Sequence, residues 1–90
     1  MTILTLIHRA AIAIERTPEA ITSSSRKKHL VYARHAIASI AWEFGYKERT
    51  IAPALNRRNL ATICNSRKRS RKLYMHDIEY RYIYNQIASS

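Results

Sequence analysis

The sequence predicts an all-α fold, a small bundle of five or six helices, and three observations carry that expectation. Apolar residues recur at i, i+3, i+4 and i+7 through most of the chain, the spacing that lines one face of a helix. A single Gly and two Pro leave few of the tight turns that a β-rich fold needs, and helix formers fill the stretches between them. Ninety residues with 47% apolar content give one core and one domain, spanning 1–90.

The elements follow in order. Residues 2 to 15 carry Ile3, Ile7, Ala10, Ala11 and Ile14 as a helical stripe, with Leu4 beside it. Thr17-Pro18-Glu19 is a helix start, a capping hydroxyl followed by Pro at the first helical position and an acid in the first turn. It marks a short helix through about Ile21, and Thr22-Ser23-Ser24-Ser25 then reads as a polar loop. A long helix from about Lys28 to Phe44 lines Leu30, Ala33, Ile37, Ile40, Ala41 and Phe44 on one face, with Gly45 placed to end it in a left-handed cap. A shorter helix covers roughly Lys47 to Leu55. If Thr50 caps it, Pro53 sits in the first turn at little cost; if it begins at Lys47, Pro53 should kink it.

The next helix, 59 to about 71, has Asn59 at its start, a residue able to accept a bond from an N–H of Ala61 or Thr62. At roughly 100° per residue, Leu60, Ile63 and Cys64 fall on one side and can meet a core. Asn59, Thr62, Asn65, Ser66 and Arg69 fall on the other. That second face carries small hydrogen-bonding groups and a cation, which suits the donors and acceptors of a major groove flanked by phosphates. The last helix, about 73 to 88, aligns Tyr80, Ile83, Tyr84 and Ile87, and pairs Asp77 with Arg81 at i, i+4. Met75, Ile78 and Tyr82 make a narrower second strip, expected to be buried within the monomer, with a partner surface as the alternative.

Charge narrows the function classes. Sixteen Lys and Arg against six Asp and Glu give +10. Between Arg26 and Lys72 stand thirteen basic residues and only two acidic ones, Glu43 and Glu48, whereas the flanks are close to neutral. A basic centre between near-neutral ends is the footprint of a polyanion binder. The cations punctuate several helices rather than lining one long amphipathic face, which argues against a membrane surface. No stretch approaches the roughly 20 apolar residues of a membrane span, and the N-terminal apolar run is broken at His8-Arg9, so no secretory signal is expected. Lone Cys64 excludes an internal disulfide, fits a reducing compartment, and reads as a small core residue rather than a nucleophile. His8, His29, His35, His76 and Cys64 show no metal-ligand spacing, the acids are scattered singly, and one Gly permits no Walker-type phosphate loop. An enzyme, a metal, a nucleotide and any other cofactor are therefore not expected. Helical spacing assigns Trp42 and the six tyrosines to core packing rather than to base stacking.

Two blocks resemble the DNA-binding domain at the C-terminus of the bacterial replication initiator DnaA, an all-helical, Trp-repressor-like helix-turn-helix. Ser25-Arg26-Lys27-Lys28-His29-Leu30-Val31-Tyr32-Ala33-Arg34-His35-Ala36 is similar to that family's basic loop running into its long helix. Thr50-Ile51-Ala52-Pro53-Ala54-Leu55 with Arg57-Arg58-Asn59-Leu60-Ala61-Thr62-Ile63 is similar to its signature helix and turn. With Thr17 to Ile21 matching the short preceding element, the resemblance spans nearly the whole chain. It implies that Arg26 enters a minor groove, that Arg34 lies near the DNA backbone, and that Arg58, Asn59, Leu60, Ala61 and Thr62 form the tip of the recognition helix. At Asn59, Leu60 and Ala61 this chain departs from the family's Asp, His and Thr, so the docking mode is kept better than the base preference. Nothing in these residues resembles the ATPase domain of the initiator, so no ATP cycle is expected of them.

The combined expectation is a cytoplasmic, nucleoid-associated module that binds double-stranded DNA in a sequence-specific way. Its contacts would be Arg26, Lys27, Lys28, Arg34, Arg57, Arg58, Asn59, Leu60, Ala61, Thr62, Asn65 and Arg69. It would regulate replication or transcription, or compete for an origin, without an ATPase of its own. The alternatives are an RNA-binding protein of ribonucleoprotein assembly, and an adaptor whose C-terminal helix binds a protein or a second copy of the chain.

Overall fold

Capping side chains set four of the six helix starts among the described residues. The computed structural model describes residues 1–57 and 59–89, and its elements are α1 (Ile3–Ile14), α2 (Pro18–Thr22), α3 (Lys28–Glu43), α4 (Glu48–Ala54), α5 (Leu60–His76) and α6 (Ile78–Ala88). No strand occurs among these residues, so the all-α expectation holds. The Thr2 hydroxyl accepts from the Thr5 amide, Thr17 from Ala20, Asn59 from Ala61 and Asp77 from Tyr80, each satisfying an N–H that the first turn leaves unpaired. Helix α3 ends as expected at Gly45, whose φ of 98° lets the Gly45 and Tyr46 amides turn back onto the carbonyls of Trp42 and Ala41. Asn56 takes a left-handed conformation (φ 56°) after α4, and the amides of Asn56 and Arg57 close on Pro53 and Ala52 in the same way. Helix α4 begins at Glu48 with Lys47 as its cap residue, not at Thr50, and Pro53 lies exposed in its last turn. Pro53 has no amide to donate to the Arg49 carbonyl, so α4 forgoes that one helical bond.

Helix α3 is the centre of the bundle, and all five other helices pack on it. Its sequence explains how. Ala33, Ala36, Ala38 and Ala41 are all fully buried, and their single Cβ atoms let neighbouring backbones come close on several sides at once. Leu30, Ile37 and Ile40 fill the spaces between. The expected single apolar face is therefore too narrow a description. Phe44, expected on that face, is 53% exposed, because α3 ends at Glu43 and the cap directs residue 44 outward.

Three further corrections concern the last two helices. Helix α5 continues past residue 71 to His76, and a single residue, Asp77, separates it from α6. Arg81 does not pair with Asp77. Its Nε and Nη2 donate to the carbonyls of Tyr74 (2.9 Å) and Met75 (3.2 Å), capping the last turn of α5, while Asp77 accepts from the Tyr32 hydroxyl at 2.5 Å. The Met75, Ile78 and Tyr82 strip is exposed at 70%, 81% and 59%, against the expected burial. Tyr80, Ile83 and Ile87 are buried as the main stripe requires, and Tyr84 is half-buried. No helix among the described residues is long and apolar enough to cross a membrane.

Candidate nucleic-acid interface

The loop before α3 is built by its serines. Ser23 Oγ donates to the Ala20 carbonyl (2.6 Å), the Ser25 amide donates to Ser23 Oγ (3.3 Å), and the Lys27 amide donates to Ser25 Oγ (3.4 Å). Hydroxyls two residues apart thus replace the backbone ladder that the chain leaves at Thr22. The side chain of Arg26 is exposed at the outer end of this loop.

Opposite the loop stands the beginning of α5. Between them runs a groove of about 620 Å³, lined by Ser24 and Arg26 from the loop, Val31, Arg34 and His35 from α3, and Leu55, Arg57, Thr62, Ile63 and Ser66 from the far side. Arg26 and Thr62, which the sequence places on separate elements, thus line one concavity. Its walls carry three arginines and three hydroxyls, a chemistry that attracts and hydrogen-bonds anions.

The expected contact residues divide into three groups. Arg26, Lys27, Asn59, Ala61, Thr62, Asn65 and Arg69 are exposed on the loop and the outer face of α5. Leu60 joins them rather than the core, at 47% exposure, and Ser66 moves the other way, buried against α3. Arg58 lies outside the described residues. The second group is charged but engaged: Lys28 Nζ lies 3.3 Å from Glu79 Oε2, and the His29 ring bonds the same carboxylate. This draws the start of α3 to the start of α6 and holds the Glu79 carboxyl below its usual range.

Arg34 and Arg57 form the third group. Arg34 is 8% exposed, and its guanidinium donates to four carbonyls: Ile21 (2.6 Å), Ser25 (2.6 Å), Ser23 (2.9 Å) and Ala20 (3.4 Å). Arg57, half-buried, donates to the same Ser23 carbonyl at 3.1 Å. Burial, and after it the neighbouring Arg57, pushes the Arg34 guanidinium down to about 10, still charged at neutral pH. The expectation that Arg34 faces the DNA backbone does not match this geometry, because its fork is turned inward onto the peptide groups of the loop.

His35 was not among the expected site residues. It lines the groove floor, and its Nδ1 is buried without a hydrogen-bond partner among the described residues. Burial, with Arg69 and Arg34 nearby, pushes the imidazole down to about 4, so it is neutral at pH 7. Its adjacency to Arg34 was visible in the sequence, but only the crossing of α5 over α3 makes it part of a groove. Trp42 packs against the core as expected, but incompletely. It is half-buried, with the Arg67 guanidinium stacked 3.8 Å from its ring centre and Lys47 at 5.1 Å, on the seam between α3 and α5. Comparison of the chain with protein-family models, curated proteins and solved structures finds no match in any of the three.

Proposed function

We propose that this chain is a sequence-specific double-stranded-DNA-binding module, docking the first turns of α5 in a major groove while Arg26 reaches an adjacent minor groove. On the resemblance of its sequence blocks to the C-terminal domain of DnaA, it would act as a small regulator of replication or transcription, or as a competitor for origin sites. The observation that carries the reading is the shared groove: Arg26 and Thr62, from distant parts of the chain, flank one cationic concavity. Supporting it, the exposed side chains on the outer turns of α5 are, apart from Leu60, small, polar or basic (Ala61, Thr62, Asn65, Lys68, Arg69 and Lys72), with no acid among them.

The test is titration of labelled duplex DNA, single strands and duplex RNA across a salt series. With about six phosphates contacted, log K against log[salt] for duplex DNA should slope near −5, since each contact contributes about −0.9. A slope near zero, or duplex RNA bound more tightly than duplex DNA, overturns the reading. Arg26→Ala should weaken binding most at A·T-rich sites, where the minor groove is narrow and most negative. Thr62→Ala should change preference at one or two base positions, by about 1–3 kcal/mol each. A second reading, a protein-binding adaptor, is favoured by one feature only, the exposed Met75, Ile78 and Tyr82 strip.

A further inference from the structure

The carbonyl of Ser23 is where three parts of the molecule meet. Arg34 reaches it from the middle of α3 at 2.9 Å, and Arg57 reaches it from the turn before α5 at 3.1 Å. One residue away, Asn56 Nδ2 donates to the Thr22 carbonyl at 3.4 Å. Asn56 is the left-handed residue after α4, and the closure of Arg57 N–H on Ala52 O (2.7 Å) fixes the direction in which the Arg57 side chain leaves. The loop that ends in Arg26 is thus tied on one side to α3 and on the other to the turn that launches α5.

Arginine suits this task for a physical reason. A buried cation is costly unless its N–H groups are satisfied, and a planar fork of five donors can serve several carbonyls at once. Four carbonyls are served here, from two consecutive parts of the chain: Ala20 and Ile21 in α2, and Ser23 and Ser25 in the loop. A lysine in the same place carries the charge but cannot bridge so many acceptors.

We propose that Arg34 and Arg57 form a latch that sets the distance between the Arg26 loop and the first turn of α5. Arg34 is then a positioning residue that fixes the spacing between minor-groove and major-groove contacts in the target, and not a phosphate contact. This rests on the duplex-DNA reading given above. Because the loop is already ordered in the free protein, little ordering cost remains at binding. One base pair added between the two contacted segments displaces one from the other by about 3.4 Å along the axis and about a tenth of a turn around it. A latched pair of contacts cannot follow that displacement, whereas an unlatched loop can.

The experiment uses the full chain and a duplex chosen from a random pool by the wild-type protein, with versions lengthened or shortened by one base pair between the two contacted segments. Affinity is measured by fluorescence anisotropy at several salt concentrations for wild type, Arg34→Lys, Arg34→Met and the double variant Asn56→Gly with Arg57→Ala. Wild type should lose about tenfold or more on altered spacing, the scale of one lost specific contact. Arg34→Lys should bind the original duplex more weakly and lose only about two- to threefold on altered spacing, and Arg34→Met should keep the wild-type salt slope. A Met variant whose slope is shallower by about 0.9, with the spacing penalty intact, makes Arg34 a phosphate contact and overturns the proposal.

Where the Arg34 variants fail to fold, the double variant Asn56→Gly with Arg57→Ala decides: it removes both side-chain ties between the loop and the α5 turn, so an undiminished spacing penalty there also overturns the latch. Amide hydrogen exchange without DNA separates this inference from the function it rests on. The amides of Ser23, Ser25 and Lys27, bonded within the loop, should exchange at least about tenfold faster in Arg34→Lys, with those of α1 and α6 unchanged. Unchanged loop exchange overturns the latch whatever the ligand. Faster loop exchange in a protein that binds no duplex overturns the DNA reading, and the spacing role with it, while the latch itself stands.

Discussion

The two ends of α5 are made from similar parts and held in different ways. Each meets a one-residue cap, Asn59 accepting from Ala61 at 2.9 Å and Asp77, the cap of α6, accepting from Tyr80 at 2.9 Å. Each has arginines donating to backbone carbonyls nearby: Arg57 and Arg34 at the start, Arg81 at the end. Behind the end, however, lies an aromatic cluster. Tyr80 is fully buried, meets Tyr32 edge-on at 5.3 Å, and shares a 2.5 Å hydrogen bond with Ser70, while Tyr74 meets Tyr84 at 5.1 Å. Behind the start lies an open groove with arginines and a neutral histidine. The end is fastened by burial, and the start by directional bonds that leave one face free. The start of α5 is thus held in place while its outer face stays uncovered, the arrangement that the proposed DNA contact requires.

The contrast can be broken most sharply at Tyr80. Replacing it with Ala should cost about 3–5 kcal/mol, the range for deleting a buried aromatic, read as a loss of cooperative thermal unfolding. A cost below about 1 kcal/mol would mean that the end of α5 is not held by its tyrosines. Next comes Asp77→Ala, which removes the helix cap and the acceptor of Tyr32 together and should lower the melting temperature more than Asn59→Ala does. The Tyr32 hydroxyl and the Tyr80 amide hold the Asp77 carboxyl below its ordinary range. Its contribution is therefore present above the ordinary carboxylate value and is lost as pH falls through the folded one. The gap between Asp77→Ala and wild type should shrink in that acid range.

The start should respond in a different window. His35 titrates at its ordinary 6.5 when unfolded and at about 4 when folded. Between those values the unfolded chain binds a proton that the folded chain refuses, so stability falls as pH drops from 6.5 towards 4. His35→Gln should remove that part of the decline, seen as a wild-type melting temperature that drops by a few degrees more than the variant's between pH 7 and pH 5. Parallel curves would show that His35 is solvated when folded. The smallest effects belong to Asn59. Asn59→Ala should cost about 1 kcal/mol, and Asn59→Asp should keep the cap and gain a few tenths of a kcal/mol from the helix dipole. If Asn59 also reads an adenine edge, Asn59→Asp should melt as high as wild type yet bind duplex DNA clearly less tightly.

Much of this fold was legible because its signals are local. Thr17-Pro18, Asn59 and Gly45 each act within one turn of their own position, and the apolar stripes need only a helical period. Both edges of the groove were legible for the same reason, as a basic loop and a polar helix face. What escaped depends on segments distant in sequence. Arg34 looks like a surface cation until the carbonyls of α2 and its loop are brought over α3. Arg81 stands four residues from Asp77, the right spacing for an ion pair, but the Asp77 side chain already serves Tyr32 and the Tyr80 amide, and the carbonyls at the end of α5 offer Arg81 a better-aligned site. Ser66 and Leu60 changed sides because the buried face of α5 runs along Ile63, Ser66 and Ser70 rather than along Leu60, Ile63 and Cys64. The exposed strip of Met75, Ile78 and Tyr82 escaped for another reason: periodicity shows that residues share a face, not whether anything lies against it.

The chain holds a single tryptophan, and it stands on the seam between α3 and α5 beneath the Arg67 guanidinium. A cation 3.8 Å from an indole perturbs its excited state, so a small shift of α5 against α3 alters the emission. Trp42 lies outside the lining of the groove that Arg26 and Thr62 share, so a ligand seated there does not touch the indole and acts on it through α5 or the Arg67 side chain. The molecule therefore carries its own label-free gauge: a change in Trp42 fluorescence at saturation reports a ligand that shifts α5 or its Arg67, and no change reports one that settles against a rigid surface.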